Sequence, residues 1–280
     1  MSTWPESDSI QVIGGGELTA QVIPQRGGKV ASLRDRTGRE WLAQPEQPVG
    51  SPARVGANFL RAEMAGWDEC APTIVACTLD GRALADHGSL WTAAFVADGS
   101  TLTTSDEHYG FDFSRTIVVD GDGLRFDYWV RSERTLPFLW AAHPQFQAPP
   151  GTYVELPSRV DRVVDVLDPT LRSFAWSPAA AAIDDLEPGG CRKLYADPER
   201  SVQHATLVRP DGALQLTWSG ECPYIGLWLE KGMFRREPVI AIEPTTGFFD
   251  SLATAVALDR CAQVSPDAPL RWSLHLRVLS

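Results

Sequence analysis

The 280-residue sequence predicts an all-β protein, a large antiparallel β-sandwich, and three observations carry that reading. Apolar and polar residues alternate over many short runs, turn-forming pairs separate those runs, and helical periodicity is nearly absent. The run 124–130 (LRFDYWV) puts Leu124, Phe126, Tyr128 and Val130 on one face. The runs 214–218 (LQLTW) and 272–278 (WSLHLRV) repeat that period of two. Strands of this kind are buried on one side and wet on the other, as antiparallel sheets allow.

Asp80-Gly81, Asp98-Gly99, Gly121-Asp122-Gly123 and Asp211-Gly212 supply the turns between strands. Gly14-Gly15-Gly16 fits a hairpin turn better than a nucleotide cradle. One short helix is expected over 178–186 (PAAAAIDDL), closely bounded by Pro178 and Pro188. No internal repeat or linker-like change in composition divides the chain, so residues 1–280 read as a single domain of stacked sheets.

A net charge of −11 argues against a nucleic-acid or anionic-membrane partner. The opening stretch MSTWPESDSI has neither the basic nor the apolar segment of a signal peptide, and no apolar run is long enough to span a bilayer. Five scattered cysteines without a CxxC pair predict free thiols and a cytoplasmic setting. The oligomeric state is not legible. Ten tryptophans serve equally as core filling or as platforms for sugar faces.

Two stretches raise the question of chemistry. In 239–247 (VIAIEPTTG) an apolar, β-branched run ends at Glu243, directly before Pro244. A carboxylate there either terminates a strand or lines the wall of a site, and the stretch alone leaves both open. In 138–146 (FLWAAHPQF) the same layout recurs, with His143 before Pro144. One basic and one acidic strand end suggest an acid/base pair across a pocket, Glu243 ionised and His143 protonated, each favoured by the other. His108, His204 and His275 lie in polar surroundings and are expected to face solvent.

Two further clusters add polar groups. His87 lies in 86–91 (DHGSLW), and Trp67, Asp68 and Glu69 lie in 66–72 (GWDECAP). His87, His143 and Glu243 are the right types for a metal-binding facial triad. The closely spaced ligands of a cupin are missing, however, so the metal-free and cofactor-free reading is preferred. No GxSxG elbow marks a serine nucleophile.

The ordered set Gly27-Gly28, Leu33, Gly38-Arg-Glu-Trp-Leu42, GWDECAPT, DHGSLW, HPQF and IEPTTG resembles the aldose 1-epimerases, and more closely a divergent bacterial branch of the galactose mutarotase-like superfamily. The resemblance runs from about residue 15 to the C-terminus. It implies a supersandwich holding a sugar on its concave face, with His143 as general acid, Glu243 as general base and His87 touching sugar oxygens. Trp67, Asp68, Glu69 and Arg61 are the expected substrate-binding residues beside them. Better-known members carry their histidine in Asn-His-x-Tyr-Phe-Asn and their base in Glu-x-Gln; here the segments read Ala142-His-Pro-Gln-Phe146 and Glu-Pro-Thr-Thr-Gly.

The expected activity is therefore anomer interconversion of a free aldose by ring opening and closure, with a small sugar as the partner. The alternatives are a non-catalytic sugar-binding or regulatory sandwich, a mutarotase for phosphorylated or other acidic sugars, and a glycoside-processing site using Glu69 and Glu243. Arg61 and Arg82 flank the GWDEC segment, where they could meet an anionic group.

Overall fold

The computed structural model describes residues 4–5 and 8–279, so parts of the N-terminal stretch read for a targeting signal, and Ser280, lie outside the described residues. Two large antiparallel sheets dominate it. The first has ten strands, in the order Gln11–Gly14, Leu18–Ile23, Lys29–Asp35, Trp67–Cys70, Ala141–Gln147, Val239–Thr245, Tyr224–Lys231, Gly190–Ala196, Arg162–Asp165 and Ser173–Ala175. The second has eight: Tyr153–Glu155, His204–Arg209, Gly212–Gly220, Leu270–Leu279, Gly123–Arg131, Phe111–Asp120, Thr101–Asp106 and Val96–Asp98.

The alternating runs become the strands they predict. Leu124, Phe126, Tyr128 and Val130 are buried, as are Leu214, Leu216 and Trp218, and Trp272, Leu274 and Leu276. One buried cluster draws on both sheets, from Val22 and Val30 of the first to Phe126 and Leu274 of the second. Each strand turns one row of side chains into the space between the sheets. Trp67 stacks on Phe126 across that space, with ring centroids 4.6 Å apart. Burying such residues contributes about 1.5–3 kcal/mol each relative to exposure.

The helical expectation is corrected. Residues 178–186 form two 3-10 turns, Pro178–Ala181 and Ile183–Asp185, because prolines on both sides leave no room for an α-helical ladder. The one α-helix among the described residues is Leu252–Ala257, capped by the Ser251 side chain accepting from the Thr254 amide. It is too short for its apolar residues to show a period. The five cysteines are free thiols. No helix is long and apolar enough to cross a membrane among the described residues.

Pro144 and Pro244 do not follow strand ends, as the sequence suggests. Both lie inside central strands of the large sheet. Proline offers no amide hydrogen to a ladder, and it is normally confined to edges and bulges. Here the ladder between the two strands pairs Ala141 with Thr245, lapses, and resumes at Gln145 with Ala241. The lapse falls at His143 and Glu243.

Candidate active site

The register of five strands builds the site as one row. Asp68 pairs with His143, and Gly226 pairs with both Glu243 and Tyr195. The ladder flanking the proline lapse sets His143 opposite Glu243. Cross-strand partners point to the same face, so Asp68, His143, Glu243 and Tyr195 stand side by side. That face is turned away from the second sheet, because the neighbouring residues Trp67 and Glu69 face inward.

His143 is only 6% exposed and Glu243 is fully buried. His143 Nε2 lies 3.9 Å from Glu243 Oε1. The other carboxylate oxygen, Oε2, accepts a hydrogen bond from Lys193 Nζ. Lys193 also lies 3.3 Å from Asp250 Oδ1, and the Tyr195 hydroxyl donates to that same oxygen at 2.6 Å. Gly226 makes this reach possible. A Cβ on it would stand 3.2 Å from Tyr195 Cζ and 3.4 Å from Lys193 Cε, tighter than most such contacts.

A matching arrangement lies on the other side of His143. Lys29 Nζ donates to Asp68 Oδ2 at 2.6 Å and lies 3.6 Å from Glu63. Among the described residues, Asp68 Oδ1 has no hydrogen-bond partner, and neither do Glu243 Oε1 or His143 Nδ1. Three orphaned buried polar atoms in one row are costly, each about 1–3 kcal/mol or more when charged. A ligand bearing several hydroxyls would satisfy them.

His87 closes the row from above. Its ring centroid lies 5.4 Å from that of His143, and its Nδ1 lies 3.1 Å from Asp86 Oδ2. Phe59, from the 3-10 turn Phe59–Arg61, stacks on His87 at 3.8 Å and meets His143 edge-on at 5.3 Å. Gly88 fixes the approach of this loop. Its φ is +69° and a Cβ there would sit 1.9 Å from the Ala71 carbonyl oxygen, so only glycine fits.

Electrostatics departs from expectation at His143. Burial, then the neighbouring His87, Lys193 and Lys29, hold its pKa well below the usual 6.5. The ring is therefore held neutral, against the expectation of an imidazolium beside Glu243. Burial raises Glu243 above its usual value, opposed by Lys193 and assisted by Asp250. Lys193 remains protonated: burial acts against its charge, but Asp250 and Glu243 overcome it. Burial pushes Asp68 up to about 6 despite Lys29.

Of the residues singled out in the sequence, His143, Glu243, His87 and Asp68 meet in this row. Trp67 and Glu69 do not. Strand alternation turns both between the sheets, where Glu69 accepts from Arg115 at 2.6 Å, Tyr128 at 3.2 Å and Trp140 at 2.7 Å. That placement also removes the Glu69–Glu243 carboxylate pair. Arg61 is exposed and lines a neighbouring groove of about 590 Å³ with Glu46, Met64 and Phe234. Arg82 donates to the Tyr109 carbonyl at 3.1 Å, away from the row.

His108 is exposed, while His204 and His275 are partly buried on their strands, His275 against the Asp120 carbonyl. No group of three or more His, Cys, Asp or Glu residues has the arrangement to hold a metal ion among the described residues. Lys29, Lys193, Tyr195 and Asp250 were missed in the sequence. The signal available was weak: Lys193 and Tyr195 share one face by spacing, but nothing local says that a glycine on the next strand opens that face to Glu243.

No protein-family model matches the sequence, and no curated protein matches it. Solved structures do match in fold. Slr1438 from Synechocystis sp. PCC 6803 aligns with a TM-score of 0.74 at 16% identity, over 98% of this chain and 96% of that one. A galactose mutarotase-like protein from Lactobacillus casei ATCC 334 aligns with a TM-score of 0.73 at 17% identity, over 97% and 100%. A galactose mutarotase-like protein from Clostridium acetobutylicum aligns with a TM-score of 0.68 at 15% identity, over 99% and 100%. The chain has the galactose mutarotase-like fold.

Proposed function

We propose that this protein is a mutarotase that interconverts the anomers of a free aldose, in the manner of the aldose 1-epimerases. The observation that carries the reading is the buried row in which His143 and Glu243 face each other, each with an orphaned polar atom, beside the orphaned Asp68 Oδ1. Glu243 Oε1 takes the proton of the anomeric hydroxyl, His143 gives a proton to the ring oxygen, the C1–O5 bond breaks and C1=O1 forms. Rotation about C1–C2 exposes the other aldehyde face, and the same two transfers run backwards. Each positioned acid or base contributes about 10²–10⁴-fold.

The reaction needs one proton on the pair, carried by His143 while Glu243 is ionised. Because His143 is held neutral at rest, its imidazolium is a strong acid present in small amount, well matched to a weakly basic ring oxygen. Asp68 Oδ1 and His87 are placed to read the sugar's remaining hydroxyls. Phe59, against both histidines, supplies an apolar wall beside the row. The free thiols fit a cytoplasmic setting.

The test is anomer exchange by NMR saturation transfer on a panel of neutral, phosphorylated and sulfonated aldoses. Wild-type protein accelerates exchange of at least one, and Glu243→Gln removes roughly 10²–10⁴-fold of that acceleration. Undiminished exchange in a folded Glu243→Gln variant would falsify the assignment of the base. Saturable sugar binding without faster exchange would instead identify a non-catalytic sugar-binding protein.

A further inference from the structure

Glu243 is held by a group that no sequence motif marks. Lys193 bonds Oε2 and crosses to the row over Gly226, the residue without a side chain on the strand between. Behind it, Asp250 Oδ1 lies 3.3 Å from the ammonium and is itself fixed by the Tyr195 hydroxyl. The Asp250 carbonyl accepts the amides of Ile74 and Val75 at 2.8 and 2.9 Å, which ties this anchor to the loop leading towards His87. The lysine, both carboxylates and the tyrosine thus form one fixed assembly.

We propose that Lys193 is a positioning residue for Glu243: it takes Oε2 and leaves Oε1 as the single oxygen that meets a ligand beside His143. Two consequences follow from the geometry. A carboxylate with one oxygen clamped cannot rotate to offer the other, so the proton is always accepted on the His143 side. The ammonium also opposes the burial that favours a neutral carboxylate, and does so without bonding the oxygen that works. Asp68 shows the same device, with Lys29 on Oδ2 and Oδ1 free.

The groups that set the Glu243 charge come from several elements. His143 faces it from the adjoining strand, Lys193 and Tyr195 from beyond Gly226, Asp250 from the segment before the helix, Cys70 from the Trp67–Cys70 strand and His87 from its loop. Of these, Lys193 favours the carboxylate most and Asp250 opposes it. The two therefore predict opposite changes when neutralised.

The experiment is a titration of the Glu243 side-chain carbon in protein labelled with ¹³C at the glutamate carboxyl, the resonance being assigned by its loss in Glu243→Gln. Lys193→Met moves the protonation midpoint to higher pH, Asp250→Asn moves it to lower pH, and Lys193→Arg restores it towards wild type. Where Lys193→Met does not fold, Asp250→Asn and Lys193→Arg decide. A midpoint unmoved in folded Lys193→Met or Asp250→Asn, or one that Lys193→Arg raises as far as Lys193→Met does, overturns the proposal. In the exchange assay the Lys193→Met loss falls on kcat, with KM nearly unchanged.

The role in catalysis rests on the mutarotase reading, but the titration does not. A wild-type protein that exchanges no sugar removes the proposed function and leaves the clamp standing. A midpoint that ignores Lys193 removes the clamp and leaves the function standing.

Discussion

Two buried glutamates, 69 and 243, sit a few strands apart in the same sheet and are treated oppositely by the fold. Glu69 faces the second sheet, and both its oxygens are satisfied by Arg115, Tyr128 and Trp140. Glu243 faces the other way, with one oxygen on Lys193 and the other without a hydrogen-bond partner among the described residues. A fully satisfied buried charge is a structural fastener whose removal strands its partner. A half-satisfied one is costly to keep, and the proposed function explains it by a ligand that completes it.

The largest expected effect breaks this comparison at Glu69. Glu69→Gln leaves the Arg115 guanidinium buried without its counter-charge and costs about 3–5 kcal/mol of stability, measured by urea unfolding. Glu243→Gln costs less, because Lys193 keeps Asp250 as a partner. Exchange activity reverses the order: per folded molecule it survives in Glu69→Gln and is lost in Glu243→Gln. A Glu69 variant that is fully stable yet inactive would erase the distinction.

An intermediate effect comes from the acid stability of His143. Its folded pKa lies well below 6.5, so below about pH 6.5 the unfolded chain binds a proton that the folded protein refuses. Stability therefore falls as pH drops through that value. Asp68 acts in the other direction: with a folded value of about 6 against an ordinary 3.8, the folded state holds the extra proton between those limits. His143→Gln should accordingly lose less stability than wild type on acidification from about pH 7 to 5. Equal losses in urea titrations at the two pH values would contradict the neutral, buried imidazole.

The smallest effect is expected at Arg61. It is exposed and lies outside the row. Arg61→Ala should change stability by less than about 0.5 kcal/mol and leave exchange of a neutral aldose within about twofold. A large loss confined to phosphorylated or sulfonated aldoses would reassign it to an anionic group of the substrate.

Much of the fold was legible because strand alternation is a local pattern: Leu124 to Val130 and Trp272 to Leu276 bury the residues their spacing selects. The apolar, ionisable, proline layout was also local, and it led to His143 and Glu243. What it concealed was that Pro144 and Pro244 interrupt a ladder from within, since proline in a central strand is rare enough to read as an end. The choice between Asp68 and Glu69 was illegible for a different reason. Adjacent strand residues face opposite ways, and which faces the site depends on the partner strands. Lys193 lay further out of reach, since it meets Glu243 across an intervening strand, over Gly226.

The account rests most heavily on the claim that the unsatisfied oxygen of Glu243 exists for a sugar's anomeric proton. Parallel anomer-exchange rates for wild type, Glu243→Gln and Glu69→Gln, each normalised to folded protein, test it most directly. The account predicts acceleration in wild type and Glu69→Gln and none in Glu243→Gln; acceleration that persists without the Glu243 carboxylate would contradict it.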